Sequence, residues 1–190
     1  SYGHGDFFSQ KGIIESVARK AGLTEALTYT VPEEPIYYHP GRSAIISYQG
    51  EVLGIMGQIH PQVANNYDLN GDTYLAEIHM DTLVQFASFD RKHKALPKYP
   101  SVSRDLAVIV DDSVSNGAIM SVIKDNGGKL LVSLELFDVY VGKQIGEGKK
   151  SMAYALTFRA DDRTLNESEI SKQLERILSK LQEICGATLR

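Results

Sequence analysis

Residues 138–158 read DVYVGKQIGEGKKSMAYALTF, and whether this glycine-rich, basic stretch holds a phosphate or turns a corner decides the fold. The P-loop pattern G-x-x-x-x-G-K-[ST] fails, because Lys143 stands five residues before Gly148 and Lys150 separates Lys149 from Ser151. A dinucleotide fingerprint fails as well. Gly146-Glu147-Gly148 has no third glycine after it, and the segment that follows reads as a strand where that motif must open a helix. The stretch is therefore expected to be a hairpin turn between Leu130–Val141 and Ser151–Arg159, with Gly142, Gly146 and Gly148 letting it bend.

Working outward, Arg104 to Val110 alternates Leu106, Val108 and Val110 against Ala107 and Ile109, which is the period of a strand. Ser113 and Ser115 offer N-caps for a helix carrying Ile119, Val122 and Ile123, closed by Asn126-Gly127-Gly128. Beyond the hairpin, Thr164-x-x-Glu167 reads as a capping box for a helix whose stripe is Ile170, Leu174, Ile177, Leu178, Leu181 and Cys185. A last short strand is expected after Gly186. The order β-α-β-β-α-β is that of a ferredoxin-like fold, with two helices on one face of an antiparallel sheet and the other face open.

In Ser151–Arg159 the large residues Met152, Tyr154, Leu156 and Phe158 share one side, which the helices must cover. The other side carries Ser151, Ala153, Ala155, Thr157 and Arg159, small enough for a flat ligand to approach the backbone. Asp138 and Tyr140 frame that surface with an acceptor and an aromatic plane, which suits an unstacked base. The same pattern fits a solvated sheet with no ligand. The RRM signature is absent, since Tyr154 falls on the core side.

The first half is expected to be mixed α and β with an antiparallel sheet. Ile13, Ile14, Val17, Ala18 and Ala21 recur at helical spacing, and Gly22 stops that helix. Ser43–Tyr48 and Glu51–Gln58 read as a hairpin, His60-Pro61 starts a short helix, Thr73–His79 is a further strand, and residues 81–84 form a last helical turn. Residues 87–100 lose periodicity and contain two prolines, as a linker does. The division falls near Lys94.

With 190 residues, 43% hydrophobic and 23% charged, the composition is globular and allows two small cores. A net charge of -4 is no nucleic-acid footprint, although residues 97–190 balance 13 basic against 13 acidic side chains while residues 1–96 hold 7 against 11. One cysteine, Cys185, excludes a disulfide framework and suits a reducing cytoplasm. No apolar run reaches membrane-spanning length and no signal peptide is evident. The histidines His4, His39, His60, His79 and His93 lack metal-ligand spacing, and no G-x-S-x-G elbow occurs. His39-Pro40-Gly41-Arg42 reads as a turn leading into a strand, with a substrate clamp as the alternative.

Three motifs carry a resemblance. YPSVSRDLAVIV (Tyr99–Val110), LFDVYVGKQIGEGKKSMAYALTF (Leu136–Phe158) and RTLNESEI (Arg163–Ile170) resemble the ferredoxin-fold anticodon-binding domain that ends the β subunit of bacterial phenylalanyl-tRNA synthetase. The pattern P-x-x-x-R-D-[LI]-A-[VI] falls on Pro100, Arg104, Asp105, Leu106, Ala107 and Val108; L-F-D-x-Y-x-G falls on Leu136, Phe137, Asp138, Tyr140 and Gly142; and G-x-K-S falls on Gly148, Lys150 and Ser151. DFFSQKGIIE, YHPGRSAII and GIMGQIHPQV in the first half resemble the degenerate class II synthetase-like domain of the same subunit. Ser9-Gln10 departs from the Asp-Leu common there, which reads as a surface change.

The resemblance implies that residues 1–93 are the end of a non-catalytic synthetase-like domain and residues 94–190 the anticodon-binding domain. It implies an α2β2 holoenzyme, with this chain bound to an α subunit, a second β subunit and phenylalanine tRNA, and with no membrane. ATP and Mg²⁺ serve the holoenzyme elsewhere, no cofactor is expected in this chain, and no catalytic residue is expected. Asp138 is expected to accept from a guanine edge, Tyr140 to stack, Ser151 and the Ala107 backbone to meet base edges or sugars, and Lys149, Lys150 and Arg104 to meet phosphates. Two rivals remain open at this point: a small-molecule regulatory module on the same fold, and a free-standing enzyme.

Overall fold

The computed structural model describes residues 5–90 and 96–190. The chain forms two compact units, Ser1–Lys94 and Ala95–Arg190, and the expected division near Lys94 lies outside the described residues, as do His4 and His93.

In the first unit, helix α1 (Phe7–Lys20) starts a full turn and a half before the expected apolar stripe, because the Asp6 side chain accepts from the Ser9 backbone N–H and caps it. The buried face is Gln10, Ile14 and Ala18, spaced by four, whereas Ile13 and Val17 are exposed. Gln10 is therefore not a surface residue: it is buried, and its Oε1 finds no partner among the described residues. Strands β1 (Thr28–Thr30), β2 (Tyr38–Tyr48) and β3 (Glu51–Ile59) precede helix α2 (Pro61–Asn66), strand β4 (Tyr74–Ile78) and helix α3 (Met80–Phe86). All pairings in the β1-β2-β3-β4 sheet are antiparallel. Its core joins Ile14, Ala18, Ile46, Leu53, Met56 and Leu83. The sequence reading missed β1, a three-residue edge strand with no periodicity to detect. His39–Arg42 is a bulged kink inside β2, where His39 Nδ1 accepts from the Gly41 N–H and its carbonyl from Ser43 Oγ.

The second unit runs β5 (Val102–Asp111), α4 (Asn116–Gly127), β6 (Leu131–Tyr140), β7 (Lys149–Phe158), α5 (Glu167–Cys185) and β8 (Thr188–Leu189). This is the expected β-α-β-β-α-β order, in a sheet ordered β6-β7-β5-β8 with antiparallel neighbours. Ser115 caps α4, while Ser113 instead binds the Asp111 carboxylate and holds its pKa below the ordinary value. The capping box of α5 is Asn166 with Glu169 rather than Thr164 with Glu167. The expected box was displaced by two residues because Asn166, an equally good cap, sits one step before the first helical residue.

Leu106, Val108 and Val110 of β5 and Met152, Tyr154, Leu156 and Phe158 of β7 all lie on the helical side, packed with Ile119, Ile123, Ile170, Ile177 and Leu181. Tyr154 and Phe158 are the largest side chains there with no exposure. The Tyr154 hydroxyl, held above its ordinary pKa by burial, donates to Asn116 Oδ1 at 2.9 Å, so the core polar group is satisfied. Cys185 packs at the edge of this core as a small hydrophobe, its thiol pKa raised by burial.

Candidate nucleic-acid interface

The geometry of the face opposite the helices follows from register. In β7 and β5 the pairs Ser151↔Ile109, Ala153↔Ala107 and Ala155↔Asp105 place the small residues side by side. On the other flank of β7, β6 contributes Tyr140 opposite Ser151, Asp138 opposite Ala153 and Glu135 opposite Ala155.

Strict alternation would send Leu134, Leu136, Asp138 and Tyr140 to one side. They are divided, because β6 carries a bulge between Leu136 and Asp138 that leaves Phe137 without a partner. Leu134 and Leu136 pair with the core residues Leu156 and Tyr154, and Asp138 and Tyr140 pair with the open-face residues Ala153 and Ser151. The bulge re-aims the strand at the point where a polar site begins.

Tyr140 is seated by Gly142. A Cβ on Gly142 would come within 2.5 Å of the Tyr140 hydroxyl, so the missing side chain is what lets the ring lie there. Gly142 itself is extended, with φ -178°, which corrects its expected part in the bend. The turn needs Gly146 and Gly148, whose φ values of 93° and 70° are left-handed.

The face is not bare. Beyond β8, the Arg190 N–H donates to the Ala107 carbonyl at 3.0 Å, extending the ladder by one rung. From there the side chain crosses to Tyr140, with the guanidinium carbon 5.4 Å from the ring centroid, and Nη1 donates to Ser151 Oγ at 3.5 Å. Ser151 and Ala153 are both buried, 2% and 8% exposed. Ala107, Tyr140 and Ser151 are thus brought together by a residue that sequence reasoning did not name. Its only signal was an arginine directly after the short last strand, and nothing local shows where such a side chain reaches.

The expected phosphate contacts separate. Lys149 lies on the open side, exposed, opposite Asp111. Lys150 faces the helical side, where Nζ donates to the Asp112 carbonyl at 2.8 Å and sits 3.9 Å from the Asp112 carboxylate. Arg104 also faces that side, opposite Leu156, and is paired with Glu167 at 2.5 Å. In this arrangement Lys150 links the strand to the loop after β5, and Arg104 links β5 to the first residue of α5. Across its middle the open face holds Asp105, Glu135 and Asp138, whose carboxylates can accept from base amino and imino groups, while Lys149 stands at its edge. The described residues contain no cluster of three or more His, Cys, Asp or Glu side chains placed to hold a metal ion, and none of their helices is long and apolar enough to cross a membrane.

Comparison with known proteins agrees with this geometry. Residues 97–190 match the family described as ferredoxin-fold anticodon binding domain, and residues 2–80 match the phenylalanyl tRNA synthetase beta chain CLM domain. The chain is 42% identical over 189 residues to the phenylalanine--tRNA ligase beta subunit of Clostridium acetobutylicum. It is 41% identical over 185 residues to that of Listeria monocytogenes and 38% identical over 185 residues to that of Bacillus subtilis. These alignments take in 97 to 100% of this chain and 23 or 24% of the relatives, so the chain spans about a quarter of their length.

Proposed function

Because the chain belongs to the phenylalanyl-tRNA synthetase β-chain family, we propose that its second unit binds the anticodon loop of phenylalanine tRNA on the open sheet face. The single observation that carries this is the pairing of Asp138 and Tyr140 with Ala153 and Ser151 across a bulge, which puts an aromatic plane and a carboxylate over small residues. Tyr140 stacks on a base. Asp138 accepts from a Watson–Crick edge whose donors point at it, and a guanine edge offers two. Ser151 Oγ and the backbone near Ala107 meet the base or sugar, and Lys149 meets a phosphate.

The chain itself performs no chemistry in this reading. An α subunit charges the tRNA with phenylalanine using ATP and Mg²⁺ bound outside this chain, in a cytoplasmic α2β2 assembly. The first unit serves that assembly as a non-catalytic packing domain. Stacking is worth about 1 to 3 kcal/mol per base, so anticodon capture enters the kcat/KM for tRNA and leaves adenylate formation untouched.

The test uses the assembled ligase with Tyr140→Ala and Asp138→Ala. The expected outcome is a fall of roughly 5- to 150-fold in kcat/KM for tRNA, with phenylalanyl-adenylate formation at the wild-type rate. Wild-type charging by both variants would refute the assignment. A regulatory metabolite site on this face would instead show as binding indifferent to salt, whereas tRNA binding weakens steeply as salt rises.

A further inference from the structure

Arg190 has an anchored root and a loosely held head. Its backbone N–H is a rung of the sheet on Ala107, so its Cα is fixed beside the proposed base site. Among the described residues its guanidinium has no carboxylate partner. The hydrogen bond it makes to Ser151 Oγ is 3.5 Å long, beyond the usual range of about 2.7 to 3.2 Å, and it also rests near the Tyr140 ring. Most of its five donors remain unspent. A planar cation resting on the ring that a base must use is either in the way or part of the site.

Distance decides how a base fits. Stacking places atoms about 3.5 Å apart, so a base held between two planes needs about 7 Å between them. The guanidinium stands 5.4 Å from the Tyr140 centroid, too near for a base and too near to be ignored by one. An outward movement of at least roughly 1.6 Å opens the gap, and it breaks the long bond to Ser151 while exchanging the contact with the Tyr140 ring for one with the base. Arginine planes stack on unpaired bases as aromatic rings do, and the small Ala107 and Ala153 leave the arm free to swing across the sheet.

We infer that Arg190 is the outer jaw of a nucleobase clamp: it rests on Tyr140 in the free protein, lifts to admit one anticodon base, and closes on the outer face of that base. This rests on the anticodon-binding reading above. The jaw acts through its flat face, not through its charge alone, and this separates it from a phosphate contact. Opening the jaw also frees Ser151 Oγ to bond the nucleotide.

The experiment measures kcat/KM for tRNA in the assembled ligase carrying Arg190→Ala or Arg190→Lys, against wild-type tRNA and tRNAs made abasic at each anticodon position in turn. Both substitutions keep the backbone rung to Ala107, and adenylate formation reports on assembly. Both variants are expected to lose about 3- to 30-fold, with the salt dependence unchanged, and the loss is expected to vanish on the tRNA abasic at the clamped position. A wild-type Arg190→Lys together with a shallower salt dependence for Arg190→Ala would overturn the jaw in favour of a phosphate contact. Wild-type charging by Arg190→Ala while Tyr140→Ala is impaired would overturn the jaw and leave the anticodon reading standing. Indifference of the wild-type enzyme to every abasic position and to Tyr140→Ala would overturn both.

Discussion

Leu136 and Asp138 stand two residues apart on β6 and face opposite sides of the sheet, Leu136 against Tyr154 in the core and Asp138 against Ala153 on the open face. The unpaired Phe137 between them makes the difference. Its own side chain is more than half exposed, so it contributes to the site through the residue count of the strand and not through burial.

Deletion then has opposite outcomes at two neighbouring positions. Removing Phe137 leaves Asp138 and Tyr140 in register with Ala153 and Ser151, and tRNA charging is expected to stay within about threefold of wild type, since no stacking interaction is lost. Removing Val139 puts either Asp138 or Tyr140 opposite Met152, on the helical side, because a one-residue slip exchanges faces. Charging kinetics of the two deletion variants, with unchanged adenylate formation as the control, check this.

Gly142 supports Tyr140 from below. In Gly142→Ala the new methyl would stand within 2.5 Å of the Tyr140 hydroxyl, and the ring must shift. Backbone strain is not involved, since an extended φ suits alanine. The expected result is a Tm close to wild type with a kcat/KM for tRNA lowered toward the value of Tyr140→Ala, read from thermal melts and charging assays side by side.

The three cations once grouped as phosphate contacts should come apart experimentally. Lys149→Ala is expected to reduce the slope of log kcat/KM for tRNA against log salt by about 0.7, one single-strand phosphate contact. Arg104→Ala is expected to leave that slope alone and to cost less than about 1 kcal/mol of stability, the range of a part-exposed ion pair. A salt titration of charging by both variants, with denaturant melts, makes the comparison.

Acid should loosen the start of α5. Arg163 donates to Glu169 Oε1 at 2.6 Å and the Asn166 N–H to Oε2 at 3.1 Å, and these bonds hold the Glu169 carboxyl below its ordinary pKa of 4.5. A carboxylate depressed in the folded state stabilises it fully above the ordinary value, and that contribution fades as pH falls through the depressed one. Glu169→Gln is therefore expected to lower Tm near neutral pH and to converge on wild type in strong acid. Melts across an acid series decide it, and a constant gap between the two proteins at all pH values would contradict the linkage.

Much of the second unit was legible locally. Alternation in Arg104–Val110 and Ser151–Arg159, glycines around the hairpin and the stripe from Ile170 to Cys185 each state a period, and period sets which face is buried. The first unit was less legible: α1 was expected late because Gln10, a polar residue, holds a core position, and β1 is too short to show a pattern. The capping box was misplaced by two residues because several cap-type residues crowd the same loop.

What the sequence determined by itself is thus the element order of the second unit, the core face of β5 and β7, and the family. What only the tertiary structure decided is which side chains share the open face. A bulge is a property of two strands in register, so the parity that sends Leu136 inward and Asp138 outward cannot be read from β6 alone. Arg104 and Lys150 went to the helical side through their pairing with Leu156 and Val110, and Arg190 reached Tyr140 across two intervening strands. Charge and residue type are local facts, but direction and reach depend on neighbours that the chain supplies from far away in sequence.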